Sequence, residues 1–162
     1  IVREFMGENY NNCTILRLFS ISDYFFTEPV FAIENIIQQA NTFPNKPLIL
    51  NNPNIYRSFI SAFDISKIIH KIFNDSIYGI FNLSGIEVVS LQELAKISIG
   101  LSSINKEILI NNDILIEKKT DRNNYYGNPI ISFQLLKKES FESLDFQIRK
   151  LTARVKFLME KK

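Results

Sequence analysis

Tryptophan is absent from this chain, cysteine and histidine occur once each, and methionine occurs twice. The single Cys13 excludes an internal disulfide and a cysteine-based metal site. A reducing, cytoplasmic setting is the default for such a chain. With one thiol and one imidazole, His70, a zinc site or a Ser-His or Cys-His dyad is not a credible reading. Glycine is also scarce: the five are Gly7, Gly79, Gly85, Gly100 and Gly127. No two are spaced to make Gly-x-x-Gly-x-x-Gly or Gly-x-Gly-x-x-Gly. The phosphate-cradling turn that opens a helix in dinucleotide-binding folds is therefore not in these residues. No apolar run approaches the ~20 residues that span a bilayer, and no signal peptide is visible. A net charge of +2 gives no reason to expect nucleic acid or a membrane as partner.

What is present suits one globular domain with a real core: 162 residues, 46% hydrophobic and 22% charged. The chain is rich in Ile, Asn and Lys, with persistent apolar periodicity and no internal repeat. Charge is uneven. From Leu144 onward the net charge is +4, leaving the rest at −2. This basic end reads first as a solvated helix face that suits the macrodipole, with a phosphate or membrane contact as the alternative. The first residues, Ile1 to Met6, read as a helix already under way, and the expectation is that an N-terminal part is missing.

Strands and helices alternate along the chain, which predicts an α/β fold. Val2, Phe5, Met6 and Tyr10 have helical spacing. Thr14–Phe19 reads as a strand. Pro29 suits the first turn of a helix capped near Thr27 or Glu28, with Val30, Ile33, Ile37 and Ala40 on one face. Leu48–Leu50 and Tyr56–Phe59 are short extended runs around the turn composition Asn51–Asn54. Asp64 is expected to cap a helix whose apolar stripe is Ile65, Ile68, Ile69, Ile72 and Phe73. Tyr78–Leu83 reads as a strand. Ser90 and Glu93 form a capping box for a helix that Gly100 should end near Ile99. A short strand at Glu107–Ile110, a short helix at Ile131–Lys138 and a final helix with Leu144, Ile148, Leu151, Val155 and Leu158 on one stripe complete the pattern.

Three segments carry a family resemblance. Ile15-Leu-Arg-Leu-Phe-Ser-Ile-Ser22 resembles the Arg-x-Phe-Asn-x-Tyr-Gly-Pro segment of the extended short-chain dehydrogenase/reductases, the NAD(P)-dependent nucleotide-sugar epimerase/dehydratase family. Pro47-Leu-Ile-Leu, Tyr56-Arg-Ser-Phe-Ile and Asp64-Ile-Ser are similar to that family's "Pro-Leu-x-Ile" strand and its Arg-Asp-Phe-x-x-Val-x-Asp-x-Ala. Tyr78-Gly-Ile-Phe-Asn-Leu-Ser-Gly85 with Ser90-Leu-Gln-Glu-Leu-Ala95 is similar to the Gly-x-x-Tyr-Asn-x-Gly strand and the Ser-x-x-Glu-Leu helix. The match runs in order from Ile15 to Ala95 and thins after about residue 105.

The resemblance implies the C-terminal portion of a Rossmann-type enzyme with its small substrate-binding subdomain. Residues 1–27 and 60–85 would end the Rossmann-type sheet, and 28–59 and 86–162 would form the subdomain. Arg57 would contact the nucleotide-sugar, a guanidinium fork suiting a diphosphate. Arg122 would be a second diphosphate-binding Arg. Ser20 stands where the family usually has a substrate-binding Asn. Leu18 and Phe19 would end the strand beside the nicotinamide of NAD or NADP. The Tyr-x-x-x-Lys that performs acid/base catalysis would lie upstream of Ile1, on a helix that Ile1–Tyr10 ends and that would support a homodimer in the intact parent. Ser22-Asp23-Tyr24 replaces Tyr-Gly-Pro, and Ala62-Phe63 replaces Val-Asp.

Three functions stand against one another: the substrate-binding portion of an enzyme, a non-catalytic nucleotide-sugar binding module or degenerate remnant, and an interaction domain using the basic C-terminal helix. Read without the family, Arg17 is a paired structural Arg on a buried strand, Asn82 satisfies loop backbone, and His70 is a solvent-exposed helix residue. The Phe-rich segments (Phe19, Phe25, Phe26, Phe31) are core, with Phe25 or Phe26 able to wall a pocket. As half of a doubly wound sheet, the strands at Thr14–Phe19 and Tyr78–Leu83 would lack partners and invite aggregation.

Overall fold

The computed structural model describes residues 13–23, 31–111, 126–137 and 140–160. The readings placed on Ile1–Tyr10, Phe25, Phe26, Pro29 and Arg122 lie outside them. In chain order the described elements are β1 (Thr14–Leu18), α1 (Ala32–Asn41), β2 (Leu48–Leu50), β3 (Tyr56–Ser58), α2 (Ala62–Asn74) and β4 (Gly79–Leu83). They continue with β5 (Val88–Ser90), α3 (Leu91–Leu101), β6 (Ile108–Ile110), α4 (Ile130–Leu135) and α5 (Leu144–Met159). The strands pair two by two: β1 with β4 and β2 with β6 in parallel, β3 with β5 antiparallel. The α/β expectation holds. The strands expected to lack partners pair with each other, Thr14 opposite Gly79 and Leu18 opposite Leu83.

Two apolar clusters form. One gathers Ile33, Ile37 and Ala40 of α1, Leu48, Phe59, Val89, Leu94 of α3, and Leu144, Ile148, Leu151 and Val155 of α5. The other joins Ile60, α2 (Ile65, Ile68, Ile72), Leu83, Leu135 and Phe141, with Leu16, Leu18, Ile21 and Phe81 packed against it. The division falls between two adjacent residues, Phe59 and Ile60.

Period-two alternation puts Leu16 and Leu18 on the α2 side of β1. Arg17 therefore faces away and is exposed, not buried and paired as expected; Asn82, its partner in register, is exposed on β4. The α2 stripe is narrower than its spacing predicts. A two-stranded sheet and α4 cover only Ile65, Ile68 and Ile72, and the flanking Ile69 and Phe73 stay 51% and 83% exposed. Phe31, expected in the core, is half exposed just before α1.

The cap of α2 is a correction. Ser61, not Asp64, is the N-cap; its Oγ accepts from the Asp64 amide at 3.1 Å. Serine three residues ahead of an acidic residue is itself a start signal, and it moves the helix start upstream to Ala62. Asp64 then sits in the first turn, where the macrodipole favours a carboxylate. Its Oδ1 pairs with Lys67 Nζ at 2.7 Å, and its Oδ2 accepts from the Glu142 amide at 3.0 Å. Only 1% of Asp64 is exposed. Asp64→Ala leaves the Glu142 amide without its acceptor and takes one of the partners of Lys67, so chemical denaturation should show a loss of about 1–3 kcal/mol.

The N-cap of α3 follows the sequence, whereas α1 starts at Ala32 with Phe31 as its N-cap, later than the cap expected near Thr27 or Glu28. Ser90 and Glu93 form their reciprocal box, with amide–side-chain distances of 3.1 and 2.9 Å. The Ser90 backbone amide, then its hydroxyl, holds the Glu93 carboxyl below its ordinary range. Gly100 does not end α3: the helix runs through it to Leu101 and is capped at Ser102. A Cβ at Gly100 would meet nothing within 4 Å, so the helix loses only the propensity of one glycine. At the other end of the first cluster, Lys106 Nζ donates to the carbonyls that close α1, Thr42 and Phe43 among them, the latter at 3.0 Å. Burial lowers its pKa.

Candidate functional site

Both strands of the β1–β4 pair run the same way, so their C-terminal ends lie together at Leu18 and Leu83. Ligands of open α/β sheets sit beyond this edge. The residues just past it bind one another through backbone. The Phe19 amide donates to Leu83 O at 3.2 Å, the Ile60 amide to Ser20 O at 2.9 Å, and the Ser22 amide to Ile60 O at 3.0 Å. Phe19 and Ser20 are thus held between the end of β4 and the Phe59–Ile60 seam where the two apolar clusters divide. Junctions between packed units are where small-molecule sites concentrate.

Arg57 lies three residues ahead of Ile60, so along an extended chain it is about 10 Å from the backbone that grips Ser20. It stands at the centre of β3, opposite Val89, and its Nη1 donates to Tyr56 O at 2.9 Å. Ser58 alternates to the other side of the strand and is fully buried. Its Oγ is 2.6 Å from Ser84 Oγ. Ser84 follows β4 directly; its Oγ also donates to Gly85 O at 3.1 Å and accepts from the Gly127 amide at 3.2 Å. Ser132 of α4 closes the cluster: its Oγ donates to Ser84 O at 3.2 Å and accepts from the Ser84 amide at 3.3 Å.

Two glycines are needed here for close approach. A Cβ at Gly85 would lie 1.9 Å from Phe59 O, and one at Gly127 would lie 2.6 Å from the Phe19 ring and 2.9 Å from Ser84 Cβ. Phe19 therefore packs on bare backbone at Gly127. The Asp23 Oδ2 accepts from the Ala62 amide at 2.6 Å and so ties the loop after β1 to the start of α2. Ser22 is buried and donates to Gln147 Oε1 of α5, whose Nε2 donates to Glu142 O at 2.8 Å. The Ser22-Asp23 departure from the family pattern is thus spent on structure.

Leu18, Phe19 and Ser20 lie at this edge, and Arg57 is on the strand that leads into it. Leu18 packs against the second apolar cluster. Arg122 lies outside the described residues, five positions before Gly127. His70 is exposed on α2, 3.2 Å from Asn74 Nδ2. Sequence reasoning missed Ser58, Ser84 and Ser132. Only Ser84, standing where the resembling strand has glycine, carries any signal in the one-dimensional pattern. Among the described residues no group of three or more His, Cys, Asp or Glu could hold a metal ion, and no helix is long and apolar enough to cross a membrane.

Comparison with solved structures accounts for this arrangement. UDP-glucuronic acid 4-epimerase from Bacillus cereus, solved with UDP-glucuronic acid and NAD, superposes with a TM-score of 0.73 at 18% identity over 96% of this chain and 49% of its own. UDP-glucose 4-epimerase from Thermus thermophilus, solved with NAD, gives 0.66 at 13% identity over 96% of this chain and 50% of its own. The fold is similar to about half of the Rossmann-type fold of these epimerases. A dTDP-4-dehydrorhamnose reductase from Clostridium acetobutylicum shares it, with a TM-score of 0.67 at 12% identity over 95% of this chain and 52% of its own. The chain spans about half the length of the solved structures it matches. No family model and no curated protein matches the sequence.

Proposed function

We propose that the chain is the substrate-binding half of an NAD(P)-dependent nucleotide-sugar epimerase, dehydratase or reductase. The observation that carries this reading is the meeting of the Arg57 strand with the C-terminal ends of β1 and β4 at the Phe59–Ile60 seam. Arg57 binds the diphosphate through its fork, Arg122 adds a second guanidinium, and the Ser20 hydroxyl contacts the sugar. Leu18 and Phe19 border the nicotinamide. The two apolar clusters support dividing the chain into a sheet end (1–27 and 60–85) and a subdomain (28–59 and 86–162), with Leu135 and Phe141 reaching back to the sheet side.

These residues do not fit the pyrophosphate of a dinucleotide. Gly85 and Gly127 are spent on close packing, Gly100 lies inside α3, and Gly79, with φ of 138°, opens β4. On this reading NAD or NADP is held in the intact parent, and tight binding to this chain alone is not expected. The same feature favours a second reading, a binding module without turnover.

Titration calorimetry of the chain with UDP, dTDP and their sugars tests the site. Saturable heat, competed by the free nucleotide, is expected; no heat at millimolar ligand would sink the reading. Conversion of a bound UDP-sugar on adding NAD would exclude the module.

A further inference from the structure

We infer that Ser84 is a positioning residue, whose hydroxyl sets the spacing between the Arg57 strand, the end of β4 and the segment entering at Gly127. The inference rests on the nucleotide-sugar reading above. A hydroxyl has one proton and two lone pairs. At Ser84 all three are used when Ser84 donates to Gly85 O and accepts from Ser58 and the Gly127 amide, at 3.1, 2.6 and 3.2 Å. Ser84, Ser58 and Ser132 are each fully buried. No water competes for these bonds, so each is costly to leave unmade.

Two of the partners are distant in the chain, and the third, Gly85, is the neighbour of Ser84. Ser58 is the residue after Arg57 and lies on the opposite side of β3, so the bond holds that strand from behind the guanidinium. Gly127 is the place where chain packs on the Phe19 ring, and substitution there is blocked by Phe19 and by Ser84 itself. Gly85 abuts the Phe59 backbone, one residue from the Ile60 amide that holds Ser20. The Ser84 hydroxyl thus ties the end of β4 to the strand that carries Arg57 and to the segment packed on the Phe19 ring, while Gly85 beside it abuts the Phe59 backbone. Ser132 differs: its hydroxyl bonds the Ser84 backbone and not the Ser84 side chain. Removing it perturbs α4 packing but cuts none of the three ties.

That contrast makes the test. Ser84→Ala and Ser132→Ala are compared with the unchanged chain by calorimetry with UDP, by thermal unfolding, and by amide hydrogen exchange at Gly127. Both substitutions should lower the melting temperature. Ser84→Ala alone should weaken UDP binding, by about tenfold, and speed Gly127 exchange relative to the Ile60 amide. Equal affinity in the unchanged chain and Ser84→Ala overturns the inference and leaves the nucleotide reading standing. An equal loss in Ser132→Ala also overturns it, because the effect is then only stability. An unchanged chain that gives no heat with UDP overturns the nucleotide reading, and the positioning role falls with it.

Discussion

Replacing Arg57 by alanine is expected to weaken UDP and UDP-sugar binding by roughly 30- to 100-fold, or about 2–3 kcal/mol. The magnitude follows from the donor lost. A guanidinium offers five N–H groups in a rigid plane, and charge-assisted pairs with phosphate oxygens are about twice as strong as neutral ones. Arg57→Lys keeps the charge and loses the fork, so it should recover only part of the affinity. The fold should survive both changes. Arg57 is partly exposed, and its bond to Tyr56 O is a side-chain to backbone contact, worth about 1 kcal/mol. Calorimetry read beside a denaturation curve separates the effects. Affinity unchanged in Arg57→Ala would remove this residue from the site; affinity lost only in step with stability would make it structural.

Much of the architecture is legible in the chain because it depends on neighbours in sequence. The α5 stripe Leu144, Ile148, Leu151 and Val155 is buried as its spacing demands, and the Ser90–Glu93 box forms as read. The errors arise where distant contacts decide. Asp64 looks like a cap until Ser61 takes the role and the Glu142 amide, 78 residues away, claims the carboxylate. Ile69 and Phe73 fit the helical stripe, but a sheet of two strands is too narrow to cover them. Arg17 sits on a strand expected to be buried on both faces, whereas α2 covers only one.

The candidate site divides the same way. Arg57, Ser20, Leu18 and Phe19 stand out by resemblance along the sequence. The serines that hold them do not. A contact from Ser58 to Ser84 to Ser132 spans 26 and 48 residues, and serine has no periodicity to betray it. Asp23 is instructive in the other direction. Read as a bare charge it opposes a phosphate ligand, yet its carboxylate answers the orphan amide of Ala62 at the start of α2.

The largest loss of stability is expected at Gly85. A methyl group there would stand 1.9 Å from Phe59 O, 2.5 Å from Phe59 C and 2.9 Å from Phe59 N. These are backbone atoms at the seam of both apolar clusters, so no side-chain rotation relieves the overlap. The strand end must move by an ångström or more. Phe59 is 4% exposed and Ile60 fully buried, and displacing them opens gaps in two cores at once. Overpacking alone costs about 1–3 kcal/mol, and the backbone shift also strains the Ile60–Ser20 and Ser22–Ile60 hydrogen bonds. Gly85→Ala should therefore lose more than about 3 kcal/mol, a large fraction of the stability of a domain this size. Gly100→Ala is the control. Its Cβ would enter open space inside a helix, so it should gain about 0.5–1 kcal/mol. Urea unfolding of the two variants reads both signs. A Gly85→Ala chain as stable as the parent would mean that β4 and Phe59 do not approach this closely in solution. The seam on which Arg57, Ser20 and Ser84 are arranged would then have another shape.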